Sequence, residues 1–267
     1  MMKKLFLIAI ACIIIGVIGI SQTYEKAVQT AEKGDKEDVI KNETLKNIEV
    51  KLDAGDIVIQ KSPDSSFYVK QSGDVRKQVI RIAEDGDTLK IIGERDKGAS
   101  FDFSFYDFRF QTSKLTLLVP ERSYQDVKVN SSAGQIEMSD VKSDSVSVRT
   151  LAGEVELKQV TSKNVEGSTK AGEVNFKKVI GKVTAKTTSG EINIQDHDSK
   201  YNLEASSTAG DIDITLSEKP QDAVITGQSA AGDVTIFNEE NNNVTIGNGS
   251  KKISGKTAAG DVTIETR

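Results

Sequence analysis

The chain has 267 residues, room for one large domain or two small ones, and a formal net charge of −5, which gives no global electrostatic footprint for nucleic acid. One Cys and one His exclude an intramolecular disulfide framework, a multi-Cys zinc site and a multi-His metal centre. With 37% hydrophobic and 28% charged residues most of the chain is expected to fold, and any chemistry has to rest on carboxylates.

Lys3 and Lys4 precede an uninterrupted apolar run from Leu5 to Ile20. With Ser21 and Gln22 it approaches the roughly 20 residues that span a hydrocarbon core of about 30 Å. It is long for the core of a cleaved signal peptide, and Val17 to Gln22 offers no A-x-A pattern. The reading is an uncleaved signal anchor, with cleavage as the alternative. Residues 1–4 form a cytoplasmic end, 5–22 the transmembrane helix, and the bulk of the chain lies outside the cytoplasm. Cys12 reads as an ordinary thiol within that helix, because no large aliphatic residue stands three places before it. Residues 23–45 are dense in both charge signs, as in Glu32-Lys33-Gly34-Asp35-Lys36-Glu37-Asp38, and read as a polar linker.

Residues 46–125 read as an irregular β cap. Strand-like runs are Ile48–Leu52, Ile57–Gln60, Phe67–Lys70, Val79–Ile82, Leu89–Ile92 and Leu115–Val119, with Asp85-Gly86-Asp87 as a hairpin turn. Between them six aromatics fall within ten residues: Phe101, Phe103, Phe105, Tyr106, Phe108 and Phe110. Two readings stand side by side: a strand pair packing a hydrophobic cap, or an exposed contact for a membrane, a glycan or a protein.

From residue 126 to 267 a repeat dominates: a small residue, Gly, a residue that is acidic in all but the first copy, a β-branched residue, any residue, an apolar residue. Examples are Ala152-Gly153-Glu154-Val155-Glu156-Leu157 and Ala209-Gly210-Asp211-Ile212-Asp213-Ile214. From Gly134 the glycines are spaced 19, 19, 18, 20, 22 and 28 residues apart. A period near 20 is too short for propeller blades and predicts an all-β, single-stack solenoid of about 19–20 residues per coil. An antiparallel meander, with the glycines at hairpin turns, is the alternative. The two-residue alternation loses phase at the small-Gly pair, which marks a corner where Ala is expected to turn inward. Asn238–Asn243 reads as a loop bulging from one coil. The final strand, ending three residues after Ile264, is expected to offer an open sheet edge or to block it with Glu265 and Arg267.

Leu115-Thr116-Leu117-Leu118-Val119-Pro120, then Val127 to Ile136, then the repeated (Ser/Thr)-x-(Ala/Ser)-Gly-(Asp/Glu)-(Ile/Val) units resemble the bacterial "putative adhesin" family over about residues 46–267. With the amino-terminal anchor and the length, the chain is similar to LiaG-type proteins. That resemblance implies a membrane-bound protein tied to cell-envelope stress, and it brings no catalytic motif to carry over.

The acidic positions Glu154, Glu173, Glu191, Asp211, Asp233 and Asp261 form a line. They read as turn carboxylates accepting backbone N–H groups, with a calcium ladder as the sharper alternative. His197, in Gln195-Asp196-His197-Asp198, reads as a solvated loop residue. No Ser/His/Asp order or phosphate loop is present. The sequence therefore predicts a non-enzymatic, adhesin-like interaction or scaffold module without a cofactor. Its partners would be the membrane and an envelope protein or glycan, and not nucleic acid. The alternative is a carbohydrate-active solenoid enzyme with paired carboxylates.

Overall fold

The computed structural model describes residues 36–73, 78–95 and 113–267, and these contain strands and turns only. The expected anchor at 5–22 and the six aromatics at 101–110 lie outside the described residues.

At the amino-terminal end come β1 (Lys36–Ile40), β2 (Asn47–Leu52), β3 (Asp56–Lys61), β4 (Phe67–Ser72), β5 (Gln78–Asp85), β6 (Thr88–Arg95) and β7 (Lys114–Val119). All six predicted strand runs are here, and β5 and β6 form the expected hairpin over Asp85-Gly86-Asp87. The linker expected to reach residue 45 ends earlier, because β1 pairs antiparallel with β4 and Leu45 is buried. Arg122 fastens the 42–45 turn by donating to the carbonyls of Asn42, Glu43 and Leu45, while its guanidinium lies over Phe67 and Tyr124.

The regular coils follow. They are β8 (Ser123–Ser131) with β9 (Ile136–Ser139), β10 (Lys142–Arg149) with β11 (Val155–Lys158), and β12 (Thr161–Ser168) with β13 (Val174–Lys177). Next are β14 (Ile180–Lys186) with β15 (Ile192–His197) and β16 (Leu203–Ser206) with β17 (Ile212–Leu216). The last region holds β18 (Ala223–Gln228), β19 (Val234–Ile236), β20 (Glu239–Glu240), β21 (Asn243–Ile246), β22 (Lys251–Lys256) and β23 (Val262–Thr266).

Each coil gives one strand to each of two sheets, and within the regular stack neighbouring coils pair in parallel. One sheet, here sheet I, runs β1-β4-β7-β3-β9-β11-β13-β15-β17-β23-β19-β20; sheet II runs β21-β18-β22-β16-β14-β12-β10-β8-β2-β6-β5. The parallel solenoid is therefore present and the meander is excluded.

Register puts like residues over like. Ile136, Val155, Val174, Ile192, Ile212 and Val262 form one inward column, all fully buried. Each such side chain contributes about 1.5–3 kcal/mol by leaving water, and only the neighbouring coils provide the cover. Across the core, sheet II carries small residues in the row Gly167, Ala185, Ala205, Gly255 and Gly227. There the sheets approach so closely that a Cβ on Gly167 would lie 2.4 Å from the Phe176 ring.

The order of the coils departs from chain order at both ends. The coil of β2 and β3 sits inside that of β6 and β7, next to β8 and β9, so residues 46–125 do not form a separate cap. The coil of β22 and β23 is inserted between that of β16 and β17 and that of β18 and β19. The terminal strand is thus interior, and the open edge expected at Ile264 does not exist. The segment expected to bulge at 238–243 instead forms β20 and β21, which run antiparallel along the outermost strands β19 and β18. Exposed Glu239 and Glu240 blunt that edge.

Candidate binding faces

Two corners link the sheets. At the first, the glycines stack directly. A Cβ built on Gly153 would lie 2.1 Å from the Gly134 carbonyl, and one on Gly172 would lie 2.2 Å from that of Gly153. The column runs Gly55, Gly134, Gly153, Gly172, Gly190, Gly210, Gly260, Gly232, so the bends sit atop one another in the rearranged order. The expected inward Ala is corrected: Ala152, Ala171 and Ala209 are exposed, and the buried residue is the Thr or Ser three places before Gly. Its hydroxyl donates to the Gly carbonyl of the adjoining coil, at 3.0 Å for both Thr169 to Gly153 and Thr187 to Gly172. Thr257 does the same to Gly210 at 3.0 Å and Ser229 to Gly260 at 2.8 Å.

The acidic line follows this corner. Of its carboxylates Glu154, Asp211 and Asp261, and Asp56 ahead of the line, brace one coil to the next, whereas Glu173 bonds within its own coil. Asp56 accepts from Gln135 N at 3.0 Å, Asp211 from Asp261 N and Asp261 from Asp233 N, both at 2.8 Å. Glu154 and Glu173 both accept from Asn175 Nδ2. Asp213, beside the line, is held above the usual carboxylate range by burial, with Asp211, Glu265 and Asp261 adding repulsion. Among the described residues no group of three or more His, Cys, Asp or Glu is placed to hold a metal ion.

At the second corner a single residue takes positive φ: Asp140, Gln159, Lys178 and Asp196, at +53° to +57°. The next residue turns inward, giving the column Val141, Val160, Val179 and His197. His197 is therefore fully buried and not a loop residue in solvent. Its Nε2 lies 3.2 Å from the Tyr201 carbonyl, its Nδ1 has no partner, and burial pushes the imidazole below its ordinary range. Sequence reading missed it because three polar neighbours suggested a loop. The available signal was its place seven residues after a corner Gly, where the preceding coils carry Val141, Val160 and Val179.

The surface holds shallow depressions. One, of about 120 Å³, lies at the amino-terminal end and is lined by Lys36, Asp38, Val69, Gln71, Val79, Ile80 and Ile82. Another, of about 160 Å³, lies on the outer face of sheet II around Ser145, Asn164, Glu166 and Lys182. Among the described residues each lining holds a single carboxylate and not the facing pair that glycoside hydrolysis uses.

Among solved structures the chain is similar to a putative cell adhesion protein from Clostridium sporogenes, at 13% identity and TM-score 0.43, covering 87% of this chain and 100% of that one. A putative adhesin from Bacteroides fragilis matches at 16% identity and TM-score 0.44, over 88% and 98%. A putative lipid binding protein from Parabacteroides distasonis matches at 17% and 0.40, over 87% and 96%. No curated protein matches. The Toastrack DUF4097 family matches twice, over residues 45–179 and 122–265, in overlapping registers as a repeated coil allows. Together those spans take in the two-sheet stack from its first inner coil to its last, and the chain belongs to the Toastrack DUF4097 family.

Proposed function

We propose that the chain is a membrane-anchored, extracytoplasmic, non-enzymatic binding module of adhesin type, with residues 5–22 as anchor and Phe101, Phe103, Phe105, Tyr106, Phe108 and Phe110 as the contact element for an envelope protein or glycan. One observation carries this reading. β6 and β7 belong to one coil, and 18 residues of sequence separate Arg95 from Lys114, where five separate Arg149 from Val155 in a regular coil. A long insertion on a stiff repeat scaffold is the usual place for recognition. The resemblance to LiaG-type proteins supports a link to envelope stress.

The test is to replace 98–111 by a short Gly-Ser bridge in the full chain and crosslink on intact cells. Partner capture should disappear while the melting temperature stays within about 3 °C. A fall of more than about 10 °C would assign the aromatics to the core instead. Glycan cleavage that survives the replacement would favour the carbohydrate-active alternative.

A further inference from the structure

The outer face of sheet II carries a regular array of cations. Register places Lys51, Arg149, Lys186 and Lys256 in one row on every second coil, with Asn130, Ser168 and Ser206 on the coils between. Neighbouring strands lie about 4.8 Å apart, so these cations recur about every 10 Å along the stack. Arg149 is taken, since Glu166 accepts from it at 2.7 Å.

The carboxy-terminal half is different. β14 bears Lys182 and Lys186, and β22 bears Lys252 and Lys256, all four exposed. β16 runs between them. The lysines mark a rectangle of about 10 by 13 Å. Among the described residues none of the four makes an ion pair. One carboxylate, Glu204 on β16, lies inside the rectangle, and Thr184, Ser206 and Ser254 supply hydroxyls around it. The acidic line runs along the first corner and adds no carboxylate to the rectangle.

We propose that this lysine array is a second binding site, separate from the aromatic segment, for a linear phosphodiester polymer that carries no bases and lies along the stack. Three features point to that chemistry. The charges repeat along a straight axis, as anions on a polymer do. The free cations are all lysines, point charges that meet a tetrahedral phosphate from any direction, whereas the fork of Arg149 is already closed. The outward positions of β14, β16 and β22 hold no aromatic side chain, so bases would find no stacking platform. A second copy fits less well, because its acidic line puts a charge on every coil and its Asp211 and Asp261 are already engaged with backbone N–H groups.

The test uses the full chain in detergent and an abasic deoxyribose-phosphate 20-mer as probe. The expected dependence of log K on log salt is about −3, near 0.7 per lysine. Replacing Lys182, Lys186, Lys252 and Lys256 by Gln should weaken binding more than about tenfold and flatten the salt slope. Replacing Lys41, Lys46, Lys177 and Lys219 by Gln changes net charge equally and should leave binding unchanged. Glu204→Gln should strengthen it about twofold. The proposal is overturned if both quadruple variants lose binding alike, if polyglutamate binds as well as the probe, or if a thymidine 20-mer binds better. It is also overturned if the lysines instead drive self-association in sedimentation without polymer. None of these outcomes bears on the aromatic segment, whose deletion leaves this site intact.

Discussion

Gly172→Ala is expected to destabilise the protein by more than about 3 kcal/mol, a fall in melting temperature of about 6–12 °C for a domain of this size. The new Cβ would lie 2.2 Å from the Gly153 carbonyl, at a φ of +138° that L residues rarely adopt. The atom it meets is backbone, held by the parallel pairing of β11 and β13, so no side chain can swing aside. Relief requires the coils to separate, and with them the buried Val155–Val174 and Leu157–Phe176 contacts. Gly86→Ala is the internal control. Its φ is also positive, at +62°, but nothing lies within 4 Å of the added carbon, so only the backbone preference of about 1 kcal/mol is lost. Gly232 makes the same close approach to Gly260 but belongs to the outermost regular coil, which can shift without cutting the stack. Gly232→Ala should fall between the two. Thermal melts of the three variants check this order. Equal losses for Gly172→Ala and Gly86→Ala would mean that the bends are not in contact.

His197→Leu is expected to leave stability near pH 7.5 almost unchanged and to raise it increasingly as pH falls. The imidazole stacks between Val179 and Leu216 in the second-corner column, with one hydrogen bond and one unsatisfied nitrogen. Burial lowers its native pKa. Above about pH 6.5, the unfolded value, both states hold a neutral ring and no penalty exists. Below it the unfolded chain takes up a proton that the native state refuses, so stability drops as pH falls toward the lowered native value. The slope is about 1.4 kcal/mol per pH unit. The carboxylates of sheet I also titrate in acid, so the informative quantity is the difference between wild type and variant in urea melts from pH 7.5 to 5. That difference should widen steadily below about pH 6.5. A constant difference would mean that His197 is hydrated and protonates in place.

Much of this architecture is legible in the sequence, because a parallel stack repeats its demands. Each coil needs a Gly where carbonyl meets backbone, a β-branched residue in the inward column and a polar residue outward, and the 18–20 residue spacing follows from Gly134 to Gly210. The order of the coils is less legible for the same reason. The coil holding Gly260 offers the same interfaces as the one holding Gly232, so either could sit on the coil of Gly210 without violating any local pattern. The spacings of 22 and 28 show where regularity lapses, but the capping by β20 and β21 is a tertiary outcome. The exposed Ala residues were misplaced because the phase slip falls one residue earlier than the small-Gly pair, at exposed Leu151 after buried Thr150. The lysine array was invisible for a different reason: Lys186 and Lys256 are 70 residues apart and come into one row only through the inserted coil.

That insertion is also the point at which the stack is most open to contradiction. The decisive measurement is disulfide trapping at the exposed corner alanines in a Cys12→Ser background. Ala209 and Ala259 lie on adjoining coils, as do Ala259 and Ala231, whereas Ala209 and Ala231 are separated by one coil. Adjacent positions about 4.8 Å apart fall within disulfide reach, and positions about 10 Å apart do not. Rapid oxidation of the Ala209→Cys/Ala259→Cys pair, with none for Ala209→Cys/Ala231→Cys, is the result expected. Rapid oxidation of the latter pair instead would show coils stacked in chain order, with β23 at the end of the rod.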